Sequence, residues 1–216
     1  MENVLIVYAA PEPKSLNGAL LAAALKTFAD QGKRVEVSDL YGMQFKAVLD
    51  ETDFPNRRDT TVFNPAAEQV NAMACGSFAP DIASEIEKVR RADLLIVQFP
   101  LWWTSMPAIL KGWFDRVFVQ GFVVNVGTGE VYGRGLLRGK KALVVVTAGS
   151  SPELYAPDGA HGDLHEHLRS LTHTTLEFCG VEVLPTHVVY NAAGIAPIDA
   201  DREVELYQDR LLAIDA

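Results

Sequence analysis

The chain alternates short runs that are apolar at every position with longer stretches whose apolar residues recur every three or four positions. Residues 4–8 (Val4, Leu5, Ile6, Val7, Tyr8) carry no polar alternation, the pattern of a strand buried on both faces. Residues 35–38, 94–98, 142–147 and 181–190 supply four further strand segments. Between the first two, Leu16, Ala19, Leu20, Ala23, Ala24, Thr27 and Phe28 keep helical spacing. Ser15 stands where it can cap that helix and Gly32 where it can end it. Residues 80–91 predict a second helix with Ile82, Ile86 and Val89 on one face and Pro80 in the first turn, where its missing N–H costs nothing. Further helices are expected over 109–118, over 161–179 up to Gly180, and from about 199 to 212.

Strand followed by helix, repeated five times, implies a parallel sheet covered on both faces. Right-handed crossovers leave few topologies, and five strands favour an α/β, three-layer αβα, doubly wound flavodoxin-like order. Ligands in such sheets bind beyond the carboxyl ends of the strands. That confines the search for chemistry to the loops after Tyr8, Gln98, Thr147 and Tyr190. Two stretches, 41–79 and 122–139, exceed ordinary loop length. Both carry aromatics (Phe45, Phe54, Phe63 and Phe78; Phe122 and Tyr132) and read as ordered functional or interfacial excursions. With no repeat and no linker, residues 1–216 are expected to form one domain.

Of the 216 residues 49% are hydrophobic, too many for wholesale disorder. Nineteen basic against 28 acidic side chains give a formal charge of −9, which argues against nucleic acid as a partner. Cys75 and Cys179 are far apart, with no C-x-x-C, and Cys179 reads as a small buried hydrophobe. No basic segment precedes the first strand, and no apolar run nears the ~20 residues that span a bilayer. A cytoplasmic protein without membrane insertion is therefore expected.

The first strand-end loop, residues 9–17, lacks G-x-G-x-x-G. A helix N-terminus with Ser15 and Asn17 can nevertheless receive a phosphate, or Ser15 can simply cap the helix. The second loop places Trp102 and Trp103 side by side. One of them must face solvent, a flat aromatic ligand or a second subunit. In the third, Gly149 permits close backbone approach. Tyr155 and His161 then supply a donor and a titratable partner for charge developing on a bound ring. His161, His165 and His167 with Asp163 and Glu166 also offer metal ligands. On a helix, however, only His161 and His165 share a face, and no H-E-x-x-H occurs, so no metal is expected. No G-x-S-x-G marks a serine hydrolase.

Several of these segments together resemble the flavodoxin-like NAD(P)H:quinone oxidoreductases, the DT-diaphorase family. They are Gln98-Phe-Pro-Leu101, Pro107-Ala-Ile-Leu-Lys-Gly-Trp-Phe-Asp-Arg-Val-Phe118, Thr147-x-Gly149 through Tyr155 to His161-Gly-Asp163, and Phe178-Cys-Gly180, joined by Ser38-Asp-Leu-Tyr41 and Pro80-Asp-Ile82. The resemblance runs from about residue 3 to 213. It implies a homodimer with one flavin per subunit, FAD rather than FMN, with NADH or NADPH as hydride donor. A quinone, nitro or azo compound would be the acceptor. By the same resemblance, Ser15, Leu16 and Asn17 hold the pyrophosphate, and Asn64 contacts adenosine. Pro100, Leu101, Trp102, Trp103 and Thr104 lie along the isoalloxazine, and Thr147, Ala148, Gly149 and Ser150 hold its polar edge. Tyr155 and His161 balance charge on the reduced ring. The chain departs from the family at Ala10, in place of a pyrophosphate-contacting histidine, and at Val124 and Val126, in place of tyrosines lining the acceptor pocket. It departs again at Thr104, in place of an aromatic, and only Arg202 offers itself as the arginine near the last helix. A regulatory subunit of a potassium-efflux system and a one-electron carrier are the alternative readings.

Overall fold

In the computed structural model, which describes residues 1–215, the strands are β1 (Asn3–Tyr8), β2 (Arg34–Asp39), β3 (Leu94–Pro100), β4 (Lys141–Thr147), β5 (Glu182–Val183) and β6 (His187–Val189). All pair in parallel in the order β2-β1-β3-β4-β5, and β6 also pairs with β4. The doubly wound order expected from the sequence is therefore present, with one refinement. The fifth lane, expected as a strand over 181–190, is two short strands interrupted at residues 184–186. Pro185 within that gap has no N–H to give a ladder, while the Leu184 N–H still reaches the Ala142 carbonyl at 2.8 Å.

Six α-helices cover the sheet: α1 (Leu16–Asp30), α2 (Pro65–Cys75), α3 (Pro80–Arg91), α4 (Ala108–Val117), α5 (Leu164–Leu171) and α6 (Pro197–Leu212). Because successive strand residues face opposite ways, each strand feeds two cores. Val4, Ile6, Leu94, Ile96, Leu143 and Val145 pack with Leu20, Ala24 and Phe28 of α1 and Tyr207 and Leu211 of α6. Leu5, Val7, Leu95, Val97, Val144 and Val146 pack with α3, α4 and α5 through Ile82, Ile86, Leu110, Trp113 and Leu168. No helix among the described residues is long and apolar enough to cross a membrane.

Helix ends follow local chemistry. The Ser15 hydroxyl accepts from the Gly18 N–H and so caps α1, and Gly32 sits at φ +72° just beyond its end. The helix expected over 161–179 begins only at Leu164, because Asp163 caps it by accepting from the His165 N–H at 2.8 Å. Beyond Leu171 it widens into a π turn (Thr172–Leu176), tightens into a 3₁₀ turn (Glu177–Cys179) and stops at Gly180, φ +88°. His161 thus precedes the helix and shares no helical face with His165. No group of three His, Cys, Asp or Glu among the described residues is placed to hold a metal. Cys179 is buried, and burial pushes its thiol up to about 12.

Helix α2 lies inside the 41–79 excursion and was not expected as a helix. Only Glu68 and Ala72 of it are buried, so it carries almost no apolar period; its signature is Asn64 as N-cap, Pro65 at the first position and Gly76 at φ +64°. The excursion is fastened to α4 by an ion pair. Arg116 Nη2 lies 2.8 Å from Asp53 Oδ1 and its Nη1 2.7 Å from Asp81 Oδ2, with Arg116 and Asp53 each 1% exposed. A second buried carboxylate, Glu85 of α3, accepts from Ser38 Oγ (2.6 Å), Trp113 Nε1 (2.8 Å) and Lys88 Nζ (2.6 Å).

Burial alone would raise the Asp53 pKa, but its hydrogen bonds to Arg116 and Lys46 outweigh burial and hold the carboxyl below its ordinary value. Its contribution to stability is therefore complete above about pH 4, the unfolded value, and is lost as pH falls through the lower folded value. Asp53→Ala strands a buried guanidinium and is expected to cost about 3–5 kcal/mol in urea unfolding at pH 7. The deficit relative to the parent should shrink in acid. A deficit constant from pH 7 to pH 3 would refute this account.

A candidate active site at the strand C-termini

Residues 9–17 leave β1 with the Ala9 N–H still bonded to the Gln98 carbonyl at 2.9 Å. They turn back onto the start of α1 so closely that a Cβ on Gly18 would meet the Pro13 carbonyl oxygen at 1.8 Å. The Ser15 hydroxyl donates to the Glu12 carbonyl at 2.7 Å. Asn17 turns inward: its Nδ2 donates to Thr147 Oγ1 at 2.7 Å, and its carbonyl accepts from Gln98 Nε2 at 2.6 Å. These bonds lash the ends of β3 and β4 to α1. Asn17 Oδ1 and Gln98 Oε1 remain buried with no partner. The two side chains expected to greet a phosphate are thus engaged within the chain. The loop offers instead the N–H groups of Leu16 and Asn17, which among the described residues donate to no acceptor, at the positive end of a helix.

Beyond β3, the Leu101 N–H donates to the Thr147 carbonyl at 2.9 Å, and Trp102 and Ser105 exchange two backbone hydrogen bonds of 2.9 and 3.0 Å. Between them Trp103 (φ +50°) and Thr104 (φ +57°) are both left-handed, a tight-turn geometry that Asn and Gly fill easily and a β-branched residue does not. The turn holds Trp103 98% exposed and Trp102 42% exposed. Both rings line a cleft of about 580 Å³ with Tyr41, Met106 and Lys111. Met106, Lys111 and Ser170 also border a second groove of about 500 Å³, floored by Phe114, Val124 and Phe178.

The third segment is split in its capacity. The Ala148 N–H is taken by the Val189 carbonyl at 2.8 Å. Among the described residues the N–H groups of Gly149 and Ser150 donate to no acceptor. Tyr155 closes a 3₁₀ turn (Pro152–Tyr155), and the His161 N–H returns to the Leu154 carbonyl at 2.9 Å. That bond brings the Tyr155 and His161 rings to 5.1 Å, tilted by 42°. Asn64 stands apart: it is exposed, its Oδ1 accepts from the Ala67 N–H at 3.2 Å, and no hydrogen bond or ring contact joins it to the strand-end loops. Of the departures noted in the sequence, Ala10 and Val124 are buried, whereas Val126 and Arg202 are exposed.

Comparison with known proteins fits this geometry. A family profile described as a flavodoxin-like fold matches residues 2–213. A human ribosyldihydronicotinamide dehydrogenase (quinone) is 45% identical over 190 residues, 88% of this chain and 81% of that one. The chain belongs to this family, the flavodoxin-like NAD(P)H:quinone oxidoreductases. A guinea pig (Cavia porcellus) NAD(P)H dehydrogenase (quinone) is 38% identical over 94% of this chain and 74% of its own length. A crystal structure of a Klebsiella pneumoniae protein assigned as a quinone reductase superposes with a TM-score of 0.95 at 40% identity, covering 99% of this chain and 85% of that one.

Sequence reasoning did not assign Gln98, Tyr41 or Lys111 to the site. Gln98 carried a signal, as the one amide closing a run of buried apolar residues. Tyr41 and Lys111 carried none, since each reads as an ordinary surface residue. The left-handed pair in the Trp turn is testable in this flavodoxin-like chain. Thr104→Asn is expected to raise stability by up to about 1 kcal/mol, because Asn tolerates the left-handed region that costs a Cβ-branched residue about 1–2 kcal/mol. Thermal unfolding of the two proteins side by side checks it.

Proposed function

We propose that this chain is a homodimeric, flavin-dependent NAD(P)H:quinone oxidoreductase that uses FAD and passes two electrons to a quinone or a nitro or azo acceptor. One observation carries the reading: the N–H groups of Leu16, Asn17, Gly149 and Ser150, unpartnered among the described residues, lie on the loops after β1 and β4, either side of the loop after β3 that bares the Trp103 ring. A flavin dinucleotide suits that set. The first pair would meet its pyrophosphate at a helix N-terminus, the second pair the electron-rich edge of its ring, and Trp103 a flat face. Bound there, FAD supplies hydride chemistry between a dihydronicotinamide and a quinone, while the protein supplies orientation and electrostatics. Tyr155 and His161 lie where they can hold a proton beside negative charge as it develops.

FAD is favoured over FMN by the ordered 41–79 excursion, in which Asn64 commits only its Oδ1 to capping α2 and keeps its amide N–H groups for an adenosine. The dimer is favoured by where apolar surface lies bare. Val48, Val62 and Val70 on one excursion, Val126 on the other and the two Trp residues between them are all exposed. A second copy laid over that face would cover them. Valines at 124 and 126 in place of the family's tyrosines would leave the acceptor pocket wider and two hydroxyl donors poorer than in those relatives, which suits several flat acceptors rather than one. Relatives are named for both ribosyldihydronicotinamide and NAD(P)H, and each of those compounds would deliver its hydride from the same kind of ring.

Anaerobic titration with NADPH, NADH or ribosyldihydronicotinamide is expected to bleach a yellow flavin band in one two-electron step. Tyr155→Phe and His161→Gln are expected to slow that bleaching by about 10²–10⁴-fold in stopped flow. Unchanged rates in both variants would remove these residues from the mechanism, and a protein that binds no flavin would remove the function itself.

A further inference from the structure

One aromatic ring beside the site has no role so far. Tyr190 follows β6, its ring centroid 6.2 Å from that of Tyr155 at 38°, so that Tyr155 has both His161 and Tyr190 as ring neighbours. Both spacings lie within the range of productive aromatic pairs. The segment carrying Tyr190 is fastened to the third loop by two hydrogen bonds and runs close against it at Gly149. The Asn191 N–H donates to the Ser150 carbonyl at 3.0 Å and the Ala192 N–H to the Ala148 carbonyl at 2.9 Å. A Cβ on Gly149 would lie 3.3 Å from that of Ala193. Asn191 adopts φ +54°, a left-handed turn that swings the chain from β6 back over residues 148–150. Burial, then Asp163 and Tyr155, raise the Tyr190 pKa, so its hydroxyl stays neutral at any working pH.

Tyr155 is half-buried at the margin of the core, where Tyr190 packs as well. It ends a 3₁₀ turn in a loop closed by the His161–Leu154 hydrogen bond, and among the described residues no hydrogen bond fixes its hydroxyl. A loose side chain cannot deliver acid–base catalysis, because a displacement of about 1 Å at a reacting group can cost about 10²-fold.

From this packing we propose that Tyr190 is a positioning residue, whose ring backs that of Tyr155 and sets where the Tyr155 hydroxyl stands. The inference rests on the reading of Tyr155 as a participant in hydride transfer. It demands the Tyr190 ring and not its hydroxyl, so Phe should serve and an aliphatic side chain should not.

The test is a double-mutant cycle on the flavin-loaded protein, with stopped-flow reduction as the rate readout. Tyr190→Phe should reduce at within about twofold of the parent. Tyr190→Leu, which keeps bulk but not the flat ring, should be slowed about tenfold or more. In a Tyr155→Phe background Tyr190→Leu should add almost nothing. A second readout needs no flavin: in ¹³C-tyrosine NMR spectra the Tyr155 signal should move in Tyr190→Leu and hold in Tyr190→Phe. Equal slowing by Tyr190→Leu in both backgrounds, or an unmoved Tyr155 signal, overturns the proposal while leaving Tyr155 catalytic. A parent-like rate for Tyr155→Phe itself overturns the catalytic reading and this inference with it. Should Tyr190→Leu fail to fold, Tyr190→Met takes its place in both measurements under the same criteria.

Discussion

A guanidinium cannot be left alone in a protein interior, and the Arg116 side chain organises much of this molecule by that constraint. It is met by both oxygens of Asp53, by Asp81 Oδ2 and by the Lys46 carbonyl, over the ring of Phe45. Every one of those partners except Asp81 belongs to the 41–79 excursion, whereas Arg116 belongs to α4. The contact is close along the backbone too: a Cβ on Gly112 would meet the Ala47 carbonyl oxygen at 2.0 Å. The excursion is therefore held as an integral wall of the fold. Because α4 begins just after the Trp102–Ser105 turn, the ion pair at one end of the helix also helps set where the exposed Trp103 ring stands at the other.

The strand ends show a related economy. Gln98, Asn17 and Thr147 come from three separate elements, and their mutual hydrogen bonds consume the side chains that could otherwise have met a ligand. What is left facing outward is backbone: N–H groups on two loops, whose positions are fixed by the sheet register and by Gly18 and Gly149. Groups of that kind are present whatever side chains the loops carry.

Wherever the fold rests on period and punctuation, the sequence announced it. Uninterrupted apolar runs marked three of the five strand lanes and the Val35-Glu-Val37 alternation a fourth, while Ser15, Pro80 and Gly180 marked helix ends close to where they fall. What stayed hidden depended on contacts distant in sequence. The fifth lane reads as one strand, until Pro185 and its neighbours fail to pair. The π turn at Thr172–Leu176 has no periodic signature of its own, and α2 has caps but scarcely an apolar face. At the site, residue types on strand-end loops were legible, as was the pairing of Tyr155 with His161. Their orientation was not: nothing local tells that Asn17 turns inward, that Ala148 gives its N–H to Val189, or that the Tyr190 ring neighbours that of Tyr155.

The interruption of the fifth lane has a consequence for the molecule's company. A parallel sheet ends in two rows of unpaired main-chain groups, and a long flat row invites another chain to add to it. On one side only two and three residues are in strand geometry, separated by a proline-containing break. On the other, β2 sets Arg34, Glu36 and Asp39 along its length, with Glu36 engaged by Arg91. Neither row offers a template for fibre growth. Crowded at high concentration, the molecule thus offers no long main-chain row for another sheet to extend, and whatever contacts it makes must be made by side chains.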